Sequence, residues 1–336
     1  MRSSHSSITG RTFSRANFFV SLSCLSQEYC QGWHSRSLFQ ATSDIQQRID
    51  RLHHDIDYYR SNPAQKEKRA LLCGYYTIFS DIALNHTNFA RAIALLSHAI
   101  EIAEQEQFYD LWCYTLRLRG WVYRSRGEIT ALIQGNAAAQ PDFQQALLNY
   151  QQAQQLDAKK VPDVYRGLVA LASGSTSAAA GLKIDEALNI VDVGSKQVGK
   201  QLASSRIPIS AILDEERYHL DRAYTYLSYP IWSAHHAKMA RVELNKANEK
   251  AIHSLSRDTF SATLLAKSYL IEGRYGLATY HVREAMQMVQ ATASGMNLAR
   301  LTAIYRALRN SEYGESDDVA TLGVDLLKAQ QPTLFK

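Results

Sequence analysis

Residues 259–290 read TFSATLLAKSYLIEGRYGLATYHVREAMQMVQ, and the placing of their apolar side chains decides the fold. Ala262, Leu265, Ala266 and Tyr269 recur at helical spacing. Beyond Gly273, Tyr275, Ala278, Val282, Ala285 and Met286 do the same. Two short amphipathic helices joined at Glu272-Gly273-Arg274 account for every one of these positions. Small residues at 266, 278 and 285 let helices approach closely, while larger ones fill the space between them. A pair of this kind cannot cover its own apolar face, so it implies neighbours stacked on both sides.

The pattern recurs along the chain. Tyr76, Phe79, Ser80 and Ala83 are followed by Phe89, Ala92, Ile93, Leu96, Ala99 and Ile100. Leu116, Gly120, Tyr123 and Gly127 begin another pair, whose second helix arrives late as Phe143, Ala146, Leu147, Tyr150 and Ala153. The delay amounts to about 14 residues relative to a repeat of about 34. It falls on residues 128–142, where Gly135, Asn136 and Pro141 predict an inserted loop. Weaker pairs follow at 163–194 and 213–248, the latter broken near Tyr229-Pro230. Leu298, Leu301, Ile304, Tyr305 and Leu308 mark a further helix, and Val319, Leu322, Leu326 and Leu327 a last one. A small residue followed by an aromatic in the first helix, then two spaced alanines in the second, resembles the tetratricopeptide repeat (TPR) family. Ser80 stands where that family usually has glycine or alanine. The resemblance implies an all-α fold, a right-handed superhelical TPR-like solenoid of degenerate helix pairs over residues 65–312. An N-terminal helix at 41–64 would precede it, with a capping helix and tail at 313–336.

Composition agrees with a folded helical chain. Hydrophobic residues make up 46% and charged residues 21% of the 336, and sixteen glycines and six prolines leave long uninterrupted runs. The net charge of +5 is mild and too evenly spread for a nucleic-acid-binding surface. Residues 1–40 are Ser-rich, carry four arginines against the lone Glu28, and lack a periodic apolar face. They are expected to form a disordered tail, an organellar targeting peptide being the alternative. The cysteines Cys24, Cys30, Cys73 and Cys113 form no C-x-x-C motif, which suits free thiols in a reducing, cytoplasmic setting. No apolar run is long enough to span a bilayer.

Two competing functions are suggested by motifs. Residues 194–201, GSKQVGKQ, match the phosphate-binding G-x-x-x-x-G-K-[ST] at every position but the last, and AILDE at 211–215 resembles the acid-terminated run that holds magnesium. Gln201 lacks the metal-binding hydroxyl, and the two pieces lie too close for the crossover helix of a parallel sheet. A nucleotide-binding protein is therefore the first alternative. The nineteen tyrosines and four tryptophans suggest stacking on single-stranded RNA, the second alternative, but Tyr76, Tyr123, Tyr150, Tyr269 and Tyr275 occupy packing positions of the repeat. The adjacent histidines at 53–54 and 235–236 diverge by about 100° on a helix and do not chelate one metal unaided. No catalytic constellation, metal site or cofactor is implied.

One stripe remains. Arg117, Trp121 and Arg124 lie at i, i+4 and i+7, opposite the packing residues Leu116, Gly120 and Tyr123. In TPR arrays the first helices line the concave groove, and the resemblance adds Asp81, Asn85 and Lys267 at matching positions. Two arginines and a tryptophan suit an acidic or C-terminal carboxylate ligand. The chain is thus expected to be a non-catalytic module that binds a protein or peptide segment. It resembles the sensor or scaffold region of bacterial regulators, without a membrane partner or direct nucleic-acid binding.

Overall fold

A computed structural model describes residues 38–58, 65–202, 215–250, 255–292 and 294–331. Among them the chain is wholly α-helical, with thirteen helices and no strand. These are α1 (Leu38–Tyr58), α2 (Gln65–Asn85), α3 (Phe89–Gln105), α4 (Tyr109–Gln134), α5 (Asn136–Gln155), α6 (Asp163–Ala179) and α7 (Ile184–Leu202). They continue as α8 (Glu215–Ser228), α9 (Ala234–Glu249), α10 (Leu255–Ile271), α11 (Tyr275–Thr292), α12 (Gly295–Arg309) and α13 (Asp317–Gln330).

Helix boundaries follow local chemistry. The side chains of Asn88, Ser233, Ser294 and Ser316 accept hydrogen bonds from backbone amides in the first turns of α3, α9, α12 and α13, so each helix starts where a donor would otherwise be orphaned. Gly273 takes a φ of 76° between α10 and α11, a conformation that costs glycine nothing. The pair read from residues 259–290 is therefore present as expected. Ala266, Ala278 and Ala285 are fully buried in one cluster with Val282 and Met286.

Consecutive helices pack as pairs, α2 with α3, α4 with α5, α6 with α7, α8 with α9 and α10 with α11. The first helices α2, α4, α6, α8, α10 and α12 also touch in succession. This file then returns on itself, because α12 packs on α4 and on α2. Gly295, at the start of α12, sits where any side chain would collide with the Asn85 carbonyl at the end of α2. The other tie is an ion pair 172 residues apart in sequence, Arg300 Nε donating to Glu128 Oε2 at 3.1 Å with both residues buried.

Several expectations are corrected. Residues 128–142 are not a loop. α4 runs through Gln134, Gly135 alone makes the turn with φ 92°, and α5 begins at Asn136. The reason is that Glu128 lies against α12 and Ala139 and Phe143 are buried, so tertiary packing extends both helices across Gly127 and tolerates Pro141 inside α5. The first helix begins at Leu38, so residues 38–40, expected in the tail, belong to it, and Ile45 and Ile49 on it are buried. Residues 1–37 lie outside the described residues, as do 211–214 of the AILDE run.

The phosphate-loop match fails on geometry. Residues 194–201 belong to the continuous helix α7, so no loop of free amides exists there to wrap a phosphate. Gly194 serves packing. A Cβ at 194 would come within 2.8 Å of the Gly167 carbonyl oxygen and 2.9 Å of the Leu171 nitrogen on α6. Those are backbone atoms that cannot swing aside. Gly194→Ala is accordingly expected to cost about 1–3 kcal/mol by overpacking. Gly276→Ala, whose Cβ would meet nothing nearer than Tyr313 Oη at 3.7 Å, should be neutral or slightly stabilising. Urea melts of the two variants check this, and equal losses would refute the close α6–α7 approach.

The closing ion pair makes a second test. Glu128→Gln leaves Arg300, Lys267 and Arg124 facing a neutral amide, and should lower stability by about 3–5 kcal/mol. A loss below about 1 kcal/mol in the same melts, the value of an exposed pair, would contradict closure of the file.

Candidate functional site

The first helices carry polar stripes on the side that faces the enclosed space. On α4 the stripe is Arg117, Trp121, Arg124 and Glu128, and α8 repeats the spacing with Arg217, Asp221, Tyr224 and Ser228. These stripes border three cavities. Two of them share Trp121, Arg124 and Arg217 as common walls. The first, about 210 Å³, adds Asn85, Arg257, Phe260, Asn297 and Arg300. The second, about 200 Å³, adds Asp81, Arg117, Leu168, Leu171 and Asp221. The third, about 300 Å³, lies toward the C-terminal end of α4 and is bordered by Glu128, Tyr224 and Lys267. Glu128 borders the third cavity and its partner Arg300 the first, so their ion pair forms part of the partition.

Electrostatics distinguish the arginines. Arg257 pairs with Glu216 at 2.7 Å and Arg217 with Asp221 at 3.2 Å. Arg124, only 2% exposed, donates to Ser175 Oγ at 2.7 Å and lies 4.3 Å over the Tyr224 ring. Its Nε has no hydrogen-bond partner. Arg300 bonds Glu128 and Asn297 and covers Phe260. Arg117, like Arg124, stands apart from the carboxylate-paired arginines. Its Nε is unpartnered, and among the described residues no carboxylate comes within ion-pair distance of its guanidinium. Burial pushes its pKa down, helped by the like charge of Arg217, while Tyr114, Tyr150 and Asp221 oppose. The nearby Asp81 carboxyl is raised to about 6 by burial, with Arg117 opposing.

Five of the six groove residues expected from sequence therefore meet. Asp81, Asn85, Arg117, Trp121 and Arg124 line the two adjoining cavities. Lys267 does not join them; it borders the third cavity, 4.0 Å from Glu128. Nor are Arg124 and Lys267 open groove residues, because closure of the file buries both. Arg217, Arg257 and Arg300 were missed. A signal existed for the first, since Arg217, Asp221 and Tyr224 repeat the α4 spacing. Arg257 reaches the site by the packing of α10 on α8, and Arg300 only through the return of α12.

The remaining titratable residues are spent locally. His53 bonds Tyr76 at 2.7 Å and His219 bonds Glu243 at 2.6 Å. Cys73 and Cys113 are buried free thiols, each pushed up to about 12 by burial. Among the described residues no His, Cys, Asp and Glu group is arranged to hold a metal, and no helix is long and apolar enough to cross a membrane. The chain matches no protein-family model and no curated protein.

Asp81 gives the site a pH dependence. A carboxyl at about 6 in the folded state and about 4 in the unfolded chain binds its proton more tightly when folded. Its contribution to stability therefore declines as pH rises between those values and stays low above the folded one. Asp81→Asn should be more stable than the parent at neutral pH, and that advantage should largely vanish near pH ~4. Paired urea melts at the two pH values decide the matter; a difference independent of pH would exclude a raised Asp81.

Proposed function

We propose that this chain is a non-catalytic binding module of TPR type, a regulatory sensor or scaffold, whose first helices receive a short protein or peptide segment. The observation that carries this reading is Arg117, a guanidinium that borders a cavity with no anion paired to it. Arg117 is half-buried with its Nε shielded from water, which is costly without a partner, and an entering carboxylate supplies the missing interaction. Trp121, shared by both adjoining cavities, offers a flat apolar face beside it, and Asn85 offers an amide for peptide backbone groups. The segment carries an acidic side chain or a C-terminal carboxylate at the Arg117 end. The size of the cavities favours a few ordered residues over a long extended strand. Repeat proteins of this kind act by presenting such surfaces, which supports the module reading over an enzymatic one.

Fluorescence anisotropy with short labelled peptide pools tests this directly. Pools ending in an acidic residue with a free carboxylate should bind, and the same pools amidated and neutralised should not. Arg117→Ala should weaken binding by about tenfold or more, the worth of one charge-assisted hydrogen bond. Equal binding of the neutral pool, or an unchanged affinity in Arg117→Ala, would refute the proposal. Tight binding of single-stranded RNA with a steep salt slope would replace it with the RNA reading.

A further inference from the structure

The third cavity has a chemistry of its own. Polar groups of α4, α8 and α10 line it. Lys267 Nζ, in a residue 7% exposed, has a single long contact of 4.0 Å to Glu128. Tyr224 Oη and Ser228 Oγ are buried one helical turn apart on α8, and neither has a partner outside that pair. Tyr224 is itself 1% exposed, and its hydroxyl has no partner beyond Ser228 in the wall of the cavity. The other side is apolar, formed by Leu132, Phe143, Leu227 and Trp232. Trp232 is 46% exposed and stands at the mouth, where Asn136 Nδ2 donates to the Pro230 carbonyl at 3.0 Å and links the α4–α5 turn to the α8–α9 connection.

Charge selects the ligand. Arg124, Lys267 and Arg300 are all more than nine-tenths buried, and the one buried carboxylate among them is Glu128. That carboxylate is held closely by Arg300 at 3.1 Å, which leaves Lys267 as the under-neutralised member on the cavity side. We propose that this cavity is a second binding site, for a small molecule with one carboxylate on a compact aromatic or short-alkyl body. Lys267, Tyr224 and Ser228 hold the carboxylate, one ammonium and two hydroxyls being the donor set such a group needs. Leu132, Phe143, Leu227 and Trp232 cover the apolar body. The site lies across the Glu128–Arg300 partition from Arg117 and does not depend on the peptide reading.

Phenylacetate and hexanoate, each beside its primary amide, are the probes, titrated into the full chain by calorimetry with tryptophan fluorescence recorded in parallel. The acids should bind and raise the melting temperature, and the amides should bind about tenfold more weakly or worse. Lys267→Met should abolish the preference for acid over amide. Ala131→Phe, which fills the cavity from its α4 wall and leaves Lys267 in place, should remove binding of the acids while sparing peptide binding at Arg117. Melts of each variant report folding, and the acid-to-amide ratio of the unmodified chain decides the matter even if Lys267→Met does not fold. No acid binding by the unmodified chain at millimolar concentration, equal binding of acid and amide, or undiminished acid binding in Ala131→Phe would each overturn the site.

Discussion

Glu128 and Arg300 meet in an interior shielded from water, and the arrangement of the first helices depends on that meeting. Taking both charges out of water is expensive, and their attraction offsets the cost only when geometry is good and the remaining donors are satisfied. Here Arg300 also donates to Asn297 and lies over Phe260, while Glu128 feels Lys267 and Arg124 as well. Burial works to raise the Glu128 pKa, yet these three cations prevail and hold it below the ordinary carboxylate range. The pair therefore stays ionised, and it fixes α12 against α4. An open stack of helix pairs would leave its polar stripes in solvent. This closure turns them into the walls of cavities.

Close approach of backbones makes the closure possible. Gly295 admits the Asn85 carbonyl, Gly194 admits the Gly167 carbonyl, and Gly120 leaves room for the fully buried Tyr150 ring. Each contact is set by the missing Cβ, and each joins two neighbouring helices of the array. Such packing has little slack, so the arginines are held by the scaffold before any ligand arrives. Arg124 shows the result. It is anchored by Ser175 of α6 and by the Tyr224 ring of α8, so three helices determine where its guanidinium lies.

The excess of buried cations links scaffold to function. Most arginines around the cavities are neutralised by a carboxylate, Arg257 by Glu216 and Arg300 by Glu128 across helices, and Arg217 by Asp221 one turn along α8. Arg117 is not, and Lys267 is only loosely so. These two under-compensated cations lie on opposite sides of the partition, each bordering its own cavity. Burying charge without neutralising it costs stability that apolar residues in the same places would not.

The sequence by itself determined the helical class, the pairing of neighbours and the stripe on α4. Those depend on interactions between residues three and four apart, which spacing records directly, as Ala266, Ala278 and Ala285 show. The family resemblance added Asp81, Asn85 and Lys267 to that stripe, of which Asp81 and Asn85 border the same two cavities as Arg117, Trp121 and Arg124, and Lys267 does not. Tertiary structure alone decided three things. The loop expected at 128–142 became helix, since burial of Phe143 and the ion pair of Glu128 outweigh the local signals of Gly135 and Pro141. The phosphate-like glycines at 194 and 199 became part of a helix, where Gly194 is fixed by contact with Gly167 on α6, a distance no local pattern encodes. And the return of α12 onto α4 buried Arg124 and Lys267 and brought in Arg300, because an ion pair spanning 172 residues leaves no periodic trace in the chain that forms it.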